Sequence, residues 1–323
     1  MSPALQDANN GNWQTAQRWQ HMLALAFDVQ VLRQWSPAAT DGAPDAMLAL
    51  HARRSADSIA AWAGYRGSEY GARGLAVVLT GTDLYRDIHD DESAQQSLRL
   101  AQCLVTLQEL GPAALGLADR DKARVIFQSS TARRTLTKTA RRLRVSVVGH
   151  LRDEKAPQTV FAVARLLRDH PDICIEHVGA GLDERLGKQA RHTEQACPGY
   201  RWLGAQPREA TRRLIQRAHL LLHPSRMEGG AHVVMEAICS GTPVLASRVD
   251  GNVGMLGQDY AGLFALDDAA AVAQWLLAAR AAQRDASRSP LEPLQRQCAL
   301  RAGLFAPHRE RVLLNQLVAD LLR

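Results

Sequence analysis

Two glutamates, Glu228 and Glu236, stand eight positions apart in SRMEGGAHVVMEAICSGTPVLAS (225–247), an otherwise apolar stretch. HLLLHPS before them reads as a strand, SRMEGG as a loop, AHVVMEAICS as a helix, and PVLAS as the next strand after an SGTP turn. Gly229, Gly230 and Ala231 then lie at the mouth of a helix, where unpaired N–H groups and the helix dipole favour an anion. Glycine there lets a ligand come close to the backbone. Glu228 belongs to the loop and Glu236 sits deeper in the helix. A ligand with a hydroxylated ring at one end, phosphates in the middle and a ribose at the other would meet both.

Three further groups could touch such a ligand or its reaction partner. Gly11 and Asn12 in NNGNW either contact phosphates or, with Asn10, simply cap a helix. His51, Arg53 and Arg54 follow the apolar run AMLAL, and Thr80, Gly81, Thr82 and Asp83 follow LAVVL. Both groups fall at the carboxyl ends of predicted strands, where parallel sheets place ligands, although a solvated loop has equal claim on the first. Asp90-Asp91 and Asp267-Asp268 lack D-x-D spacing and suit helix capping, so no metal is expected.

These groups need a scaffold. The runs VQVL (29–32), AMLAL (46–50), LAVVLT (75–80), CLVTLQ (103–108) and ARVIF (123–127) alternate with helical spacings such as Trp13–Leu25 and Ala56–Ala63. The pattern restarts with VSVVGH (145–150), ICIEHVG (173–179), YRWLG (200–204), HLLLHPS (219–225), PVLAS (243–247) and AGLFAL (261–266). Short buried strands alternating with helices predict an α/β protein of two doubly wound, Rossmann-like domains facing a cleft. The boundaries expected are an N-terminal acceptor-side domain over 1–130, a basic linker over 131–143, and a nucleotide-sugar domain over 144–307. The amphipathic stretch 308–323 is expected to pack back on the first domain. Met1 falls directly before what reads as the first ligand loop, so the first strand of the N-terminal domain is expected to be missing from this sequence.

Composition narrows the partners. A net charge of +6 over 323 residues suits an anionic ligand, yet aromatics make up 5% and do not alternate with basic residues, which argues against a nucleic-acid surface. Five cysteines without a C-x-x-C support neither a disulfide framework nor a zinc cluster. No apolar run reaches the length of a membrane span, and the start lacks the features of a signal peptide. A cytoplasmic protein acting on small molecules is the expectation.

E-x7-E after a short strand, followed by a GTPV turn, resembles the nucleotide-sugar-binding half of GT-B glycosyltransferases of the family-4 type. VVGHLRDEKAP (147–157) looks like that family's second signature. The resemblance implies that Arg152 and Lys155 hold the donor diphosphate, that Glu228 contacts the sugar, and that Glu236 contacts the ribose. Leu203, at the end of YRWLG, joins the donor side with Gly229, Gly230 and Ala231. The segments NNGNWQTAQRW, ALHARRS, LTGTDLYRD, VVGHLRDEK, YRWLG and SRMEGGAHVVMEA together resemble the selenosugar synthases of selenoneine biosynthesis. That family is similar to ordinary glycosyltransferases in fold and donor use but takes selenophosphate as acceptor.

The resemblance implies transfer of a hexose, of N-acetylglucosamine or glucose type, from a UDP-sugar to selenophosphate, without a metal or other cofactor. Arg152, Lys155 and the Gly229 and Gly230 amides would stabilise the departing diphosphate. His51, Arg53 and Arg54, with Thr80, Thr82 and Asp83, would hold the acceptor. Ordinary relatives often carry a histidine where Thr80 stands, so this loop is expected to lack a base, which fits an acceptor that is already nucleophilic. Two rivals stand beside this reading: an ordinary transferase with a hydroxyl or thiol acceptor, and a non-catalytic UDP-sugar-binding module.

Overall fold

A computed structural model describes residues 1–3, 11–38 and 44–323. The chain divides into two units, one made of Met1–Ser129, Glu228–Gly230 and Ala306–Arg323, the other of Ser130–Met227 and Ala231–Phe305.

The first unit runs α1 (Gly11–Leu23), β1 (Met47–Leu50), α2 (Ala56–Tyr65) and β2 (Ala72–Val78), then a π-helical turn at Asp83–Asp87. It continues through α3 (Ile88–Asp90), α4 (Glu92–Leu100), β3 (Ala101–Thr106), α5 (Leu117–Arg120) and β4 (Ala123–Val125). The four strands are parallel and lie in the order β1-β2-β3-β4. Both faces of the sheet are covered, which is why the strands read as unbroken apolar runs. Met47, Ala49, Leu75, Val77 and Leu104 pack on one face with Ile59 and Trp62 of α2 and Leu98 of α4. Leu50, Ala76, Val78, Cys103 and Val105 point the other way, onto Trp19 and Leu23 of α1 and onto Leu314, Leu317, Val318 and Leu321. Those last four belong to α13 (Pro307–Leu322), which therefore completes the first unit. Each such leucine, fully closed off from water, contributes about 1.5–3 kcal/mol.

A buried polar knot fastens α13. Glu310, fully buried, accepts from Trp19 Nε1 at 2.6 Å, Arg18 Nε at 3.0 Å and the Ser129 amide at 2.9 Å. At the outer edge of β1, Met1 donates to Leu48 O at 2.7 Å and its carbonyl accepts from the Leu50 amide at 3.0 Å. The run VQVL (29–32) forms no strand. Val29 and Val31 pack half-buried against the α1 and α13 cluster, while the backbone stays out of the sheet.

The second unit runs β5 (Leu143–Val148), α6 (Pro157–Leu166), β6 (Ile173–Val178), α7 (Glu184–Ala196), β7 (Tyr200–Trp202) and α8 (Arg208–Arg217). It continues with β8 (Leu220–His223), α9 (His232–Ile238), β9 (Val244–Ser247), α10 (Asp250–Leu256), β10 (Leu263–Phe264), α11 (Ala269–Arg284) and α12 (Leu291–Arg301). Its six parallel strands lie in the order β10-β9-β8-β5-β6-β7. The order reverses between β5 and β8, and the crevice at such a reversal is where an α/β sheet binds its ligand.

The basic stretch expected as a linker lies along the second unit rather than hanging between domains. The Arg133 amide donates to Cys239 O at 2.8 Å, and Arg280 donates to the carbonyls of Ala140 and Arg141 at 2.8 and 2.9 Å. Gly241, in the SGTP turn, has a φ of 68°, and a Cβ there would collide with the Thr135 side chain. Only glycine satisfies both demands.

Candidate active site

The loops after β5 and β8 carry most of the donor-side candidates. After β5 the chain turns at Gly149-His150, extends through Leu151 and Arg152, and makes a 3₁₀ turn at Asp153–Lys155 before Pro157 opens α6. Proline suits that first helical position, where an N–H would have no helical partner. Lys155 lays its stem along Gly149, where a side chain would press on it at 3.3 Å. Arg152 is exposed, with Glu154 at 3.9 Å. His150 accepts from the Ala180 amide through Nδ1 at 3.0 Å, so its proton sits on Nε2. Burial first, then the charges of Arg152 and Lys155, hold His150 below the usual histidine range. His150, Arg152 and Lys155 thus gather cationic and N–H donor groups at the mouth of α6, as an oxyanion requires.

The β8 loop meets the β5 loop through Arg226, whose amide donates to Glu154 O at 2.9 Å and whose guanidinium binds Asp267 in a two-pronged contact at 2.6 and 2.8 Å. Asp268 caps α11 by accepting from the Ala271 amide at 2.8 Å, and Asp91 caps α4 in the same way through Ala94 at 3.0 Å. Glu236, on α9, is 6% exposed and has Arg208 Nε at 3.6 Å and Arg212 Nε at 3.8 Å. Burial pushes its carboxyl above the usual range, and the two arginines pull it back. Arg212 also donates to Ser130 Oγ at 3.2 Å and Thr131 O at 2.6 Å. Sequence reading missed both arginines, although their i, i+4 spacing in REATRRLIQR puts them on one face of α8. Leu203 is half-buried just past β7, its amide donating to His177 O at 2.8 Å.

The glycine pair has a different reason from ligand approach. Gly229 belongs with the first unit, and a Cβ on it would collide with the backbone of Thr80 and Gly81. A Cβ on Gly230 would stand 2.7 Å from Leu107 Cβ. Both glycines therefore answer to close packing against the first unit's loops. Glu228, just before them, is 6% exposed. The Ala231 amide, expected to be open to an anion, donates to Met255 Sδ at 3.0 Å.

The first unit brings His51, Thr80, Thr82 and Asp83 together. Thr80 donates to Asp83 Oδ2 through its amide at 3.1 Å and its hydroxyl at 3.4 Å. His51 Nδ1 contacts Asp83 Oδ1, and its Nε2 lies 3.3 Å from Thr82 Oγ1 and 3.8 Å from Asp87 Oδ2. His51 is 2% exposed, so it is no open clamp for an anion, contrary to the expectation from sequence. Arg53 and Arg54, with Arg86, are exposed cations at this place. Arg53 is half-drawn inward, its Nε 3.2 Å from Asp87 Oδ2, and Arg54 stays at the surface. Gly11 and Asn12 open α1, and the preceding residues 4–10, Asn10 among them, lie outside the described residues.

Among the described residues one grouping could hold a metal ion: His51, Asp83 and Asp87 offer ligand atoms within 4.8 Å of one another. Arginine already supplies the compensating charge, since Asp87 contacts Arg53 and also Arg86 Nε at 3.0 Å. A cation would have to share carboxylates with two guanidiniums, which that charge balance disfavours.

Comparisons with known proteins bear on these sites. Residues 129–285 match the family model for glycosyl transferases group 1. The chain is 31% identical over 228 residues to the glycogen synthase of Mycobacterium tuberculosis, covering 61% of this chain and 53% of that protein. It is 29% identical over 127 residues to the D-inositol 3-phosphate glycosyltransferase of Corynebacterium urealyticum, covering 37% and 30%. The chain thus spans about half or less of the curated relatives it matches. Among solved structures, TarM superposes with a TM-score of 0.64 at 12% identity, over 87% of this chain and 56% of that one. Anabaena Alr3699/HepE, in complex with UDP-glucose, superposes with a TM-score of 0.63 at 13% identity, over 85% and 78%. Residues 129–285 thus resemble the glycosyl transferases group 1, and the α/β fold with parallel sheets is that of the GT-B structures on which the chain superposes.

Proposed function

We propose that the chain is a glycosyltransferase that moves a hexose, of N-acetylglucosamine or glucose type, from a UDP-sugar to selenophosphate, giving a selenosugar for selenoneine biosynthesis. One observation carries the donor half of this reading. Glu236 is buried yet flanked by Arg208 and Arg212, beside the crevice between β5 and β8 where His150, Arg152 and Lys155 gather. A carboxylate so placed accepts from ribose hydroxyls, and the cations beyond it match a diphosphate. That Alr3699/HepE, a protein of similar fold, binds UDP-glucose supports the same donor class. The acceptor half rests on the six segments that resemble selenosugar synthases and on Arg53 and Arg54 at the end of β1.

In the reaction the bond between the anomeric carbon and the diphosphate oxygen breaks, and its electron pair leaves with UDP. Positive charge grows on the sugar ring while negative charge grows on the departing phosphate. Arg152 and Lys155 stabilise that phosphate in place of a metal ion, and the selenium lone pair forms the new bond to carbon. Loss of the phosphoryl group to water then leaves the selenosugar. Among the described residues no helix is long and apolar enough to cross a membrane, and the proposal assigns small molecules alone as partners.

The test is mass spectrometry of reactions pairing UDP-N-acetylglucosamine and UDP-glucose with selenophosphate, thiophosphate and phosphate. A sugar–selenium product with release of UDP is expected. UDP-sugar bound without turnover would point to a binding module, and transfer only to hydroxyl or thiol acceptors would point to an ordinary transferase. The second of these rivals gains from one observation, because a histidine does stand against the loop that lacks one in sequence.

A further inference from the structure

β1 ends at Leu50, and the chain turns at once through His51, whose φ of 73° lies in the left-handed region. A histidine held there is strained, and such strain collects at functional sites. The turn brings the imidazole to the loop that follows β2. Asp83 accepts from the Thr80 amide through Oδ2, and its other oxygen faces the ring, where an ionised aspartate can only accept. Its contact with His51 accordingly places the ring proton on Nδ1 and leaves a lone pair on Nε2. The Arg54 amide also approaches Nδ1, but at 3.4 Å that contact is long, and the carboxylate decides the tautomer. Nε2 in turn lies 3.3 Å from Thr82 Oγ1, near enough to accept its proton. Asp87 is the other charge facing the ring, and Arg53 and Arg86 balance it. His51 and Asp83 are buried, whereas Thr82 is partly exposed.

We propose that Asp83, His51 and Thr82 form a proton relay serving the acceptor, an inference that rests on the glycosyl-transfer reading above. Thr82 is the catalytic residue that touches the acceptor; His51 and Asp83 act through it. The acceptor is a group that still carries one proton at neutral pH, such as a partly ionised selenium or sulfur acid. As it attacks, its proton passes to Thr82 Oγ while the proton of Thr82 passes to His51 Nε2. The freed electron pair bonds to the anomeric carbon, the carbon–oxygen bond to UDP breaks, and UDP takes that pair away. Asp83 stabilises the imidazolium until solvent removes its proton. The loop without a histidine of its own borrows one from the neighbouring strand.

The test compares wild type with Thr82→Val, Thr82→Ser and His51→Gln, using UDP-N-acetylglucosamine with selenophosphate and, in parallel, thiophosphate. General base catalysis is worth roughly 10²–10⁴-fold. Thr82→Val is expected to lose at least about a hundredfold in kcat, with UDP-sugar KM within about threefold of wild type. Thr82→Ser, which restores the hydroxyl, keeps at least about a tenth of wild-type kcat, and combining Thr82→Val with His51→Gln costs no more than either change alone. The partly exposed position of Thr82 keeps the test independent of whether the buried His51→Gln variant folds. Wild-type turnover with Thr82→Val within about threefold of it overturns the relay alone. A wild type that transfers to neither acceptor overturns the relay together with the reading beneath it.

Discussion

Replacing Glu236 by Gln keeps the side-chain volume and one acceptor oxygen while removing the charge. The attraction lost is chiefly to Arg212. Arg208, 3.6 Å away, has a side chain 55% exposed, so water screens it and it is assigned nothing. Arg212 is 9% exposed, and two charges about 4 Å apart at an effective dielectric of about 20 attract by roughly 4 kcal/mol. Desolvation outweighs that attraction, since the Glu236 carboxyl is held above its usual range. Arg212 also keeps its hydrogen bonds to Ser130 and Thr131, so removing the charge is expected to leave the unfolding free energy at pH 7 unchanged or slightly raised. The ligand effect is separate. A hydrogen bond to a charged group contributes about 1.5–3 kcal/mol, so UDP should bind roughly ten- to a hundredfold more weakly. Calorimetry with UDP alone and with UDP-sugar, on protein shown to be folded, measures the second effect, and urea melts measure the first. Both ligands should weaken together, because the ribose is common to them. If UDP affinity stays at the wild-type value, the ribose role of Glu236 is wrong.

Arg152→Ala and Lys155→Ala should each lower kcat by more than they weaken donor binding, since the diphosphate gains charge only as its bond breaks. Rapid kinetics set beside calorimetry checks this, and turnover should survive a chelator; loss of activity restored by magnesium would refute a metal-free leaving group. Burial pushes His177 from 6.5 down to about 4, its ring against the Tyr200 hydroxyl at 3.0 Å. The unfolded chain therefore takes up this proton first as pH falls. The contribution is intact above pH 6.5 and drains away toward pH 4, by up to about 3 kcal/mol. Urea melts from pH 7 to 5 should show a flatter slope for His177→Gln than for wild type; parallel slopes would place the acid sensitivity elsewhere.

The strands were legible because parallel sheets bury both faces and so write themselves as short unbroken apolar runs. VSVV and ICIEHV became β5 and β6 for that reason. VQVL misled for a related reason: its valines pack half-buried on the core, but periodicity reports side-chain burial and says nothing of backbone pairing. The site was legible only in part. Glu236 showed itself as a charge in an apolar helix, whereas Arg208 and Arg212 looked like solvated arginines until α8 packed beside α9. His51 and Asp83 are 32 positions apart, and nothing local marks their pairing, because the parallel neighbours β1 and β2 bring their ends together only in the folded sheet. The glycine pair showed the opposite failure. Its signal was strong, but the cause was packing against Thr80 and Gly81, which a ligand-binding explanation imitates.

The position of α13 has a consequence for the order in which the protein matures. The sheet of the first unit emerges early in synthesis, yet the face made by Leu50, Val78 and Val105 needs Leu314, Leu317, Val318 and Leu321 to cover it. Residues 130–305 must be made in between, which takes roughly 9–35 s at about 5–20 residues per second. The second unit, contiguous in sequence apart from a three-residue segment, can close while the first still waits with an apolar face open to water. The unit translated first is therefore finished last, and Glu310 stays without its partners Trp19 and Ser129 until that moment.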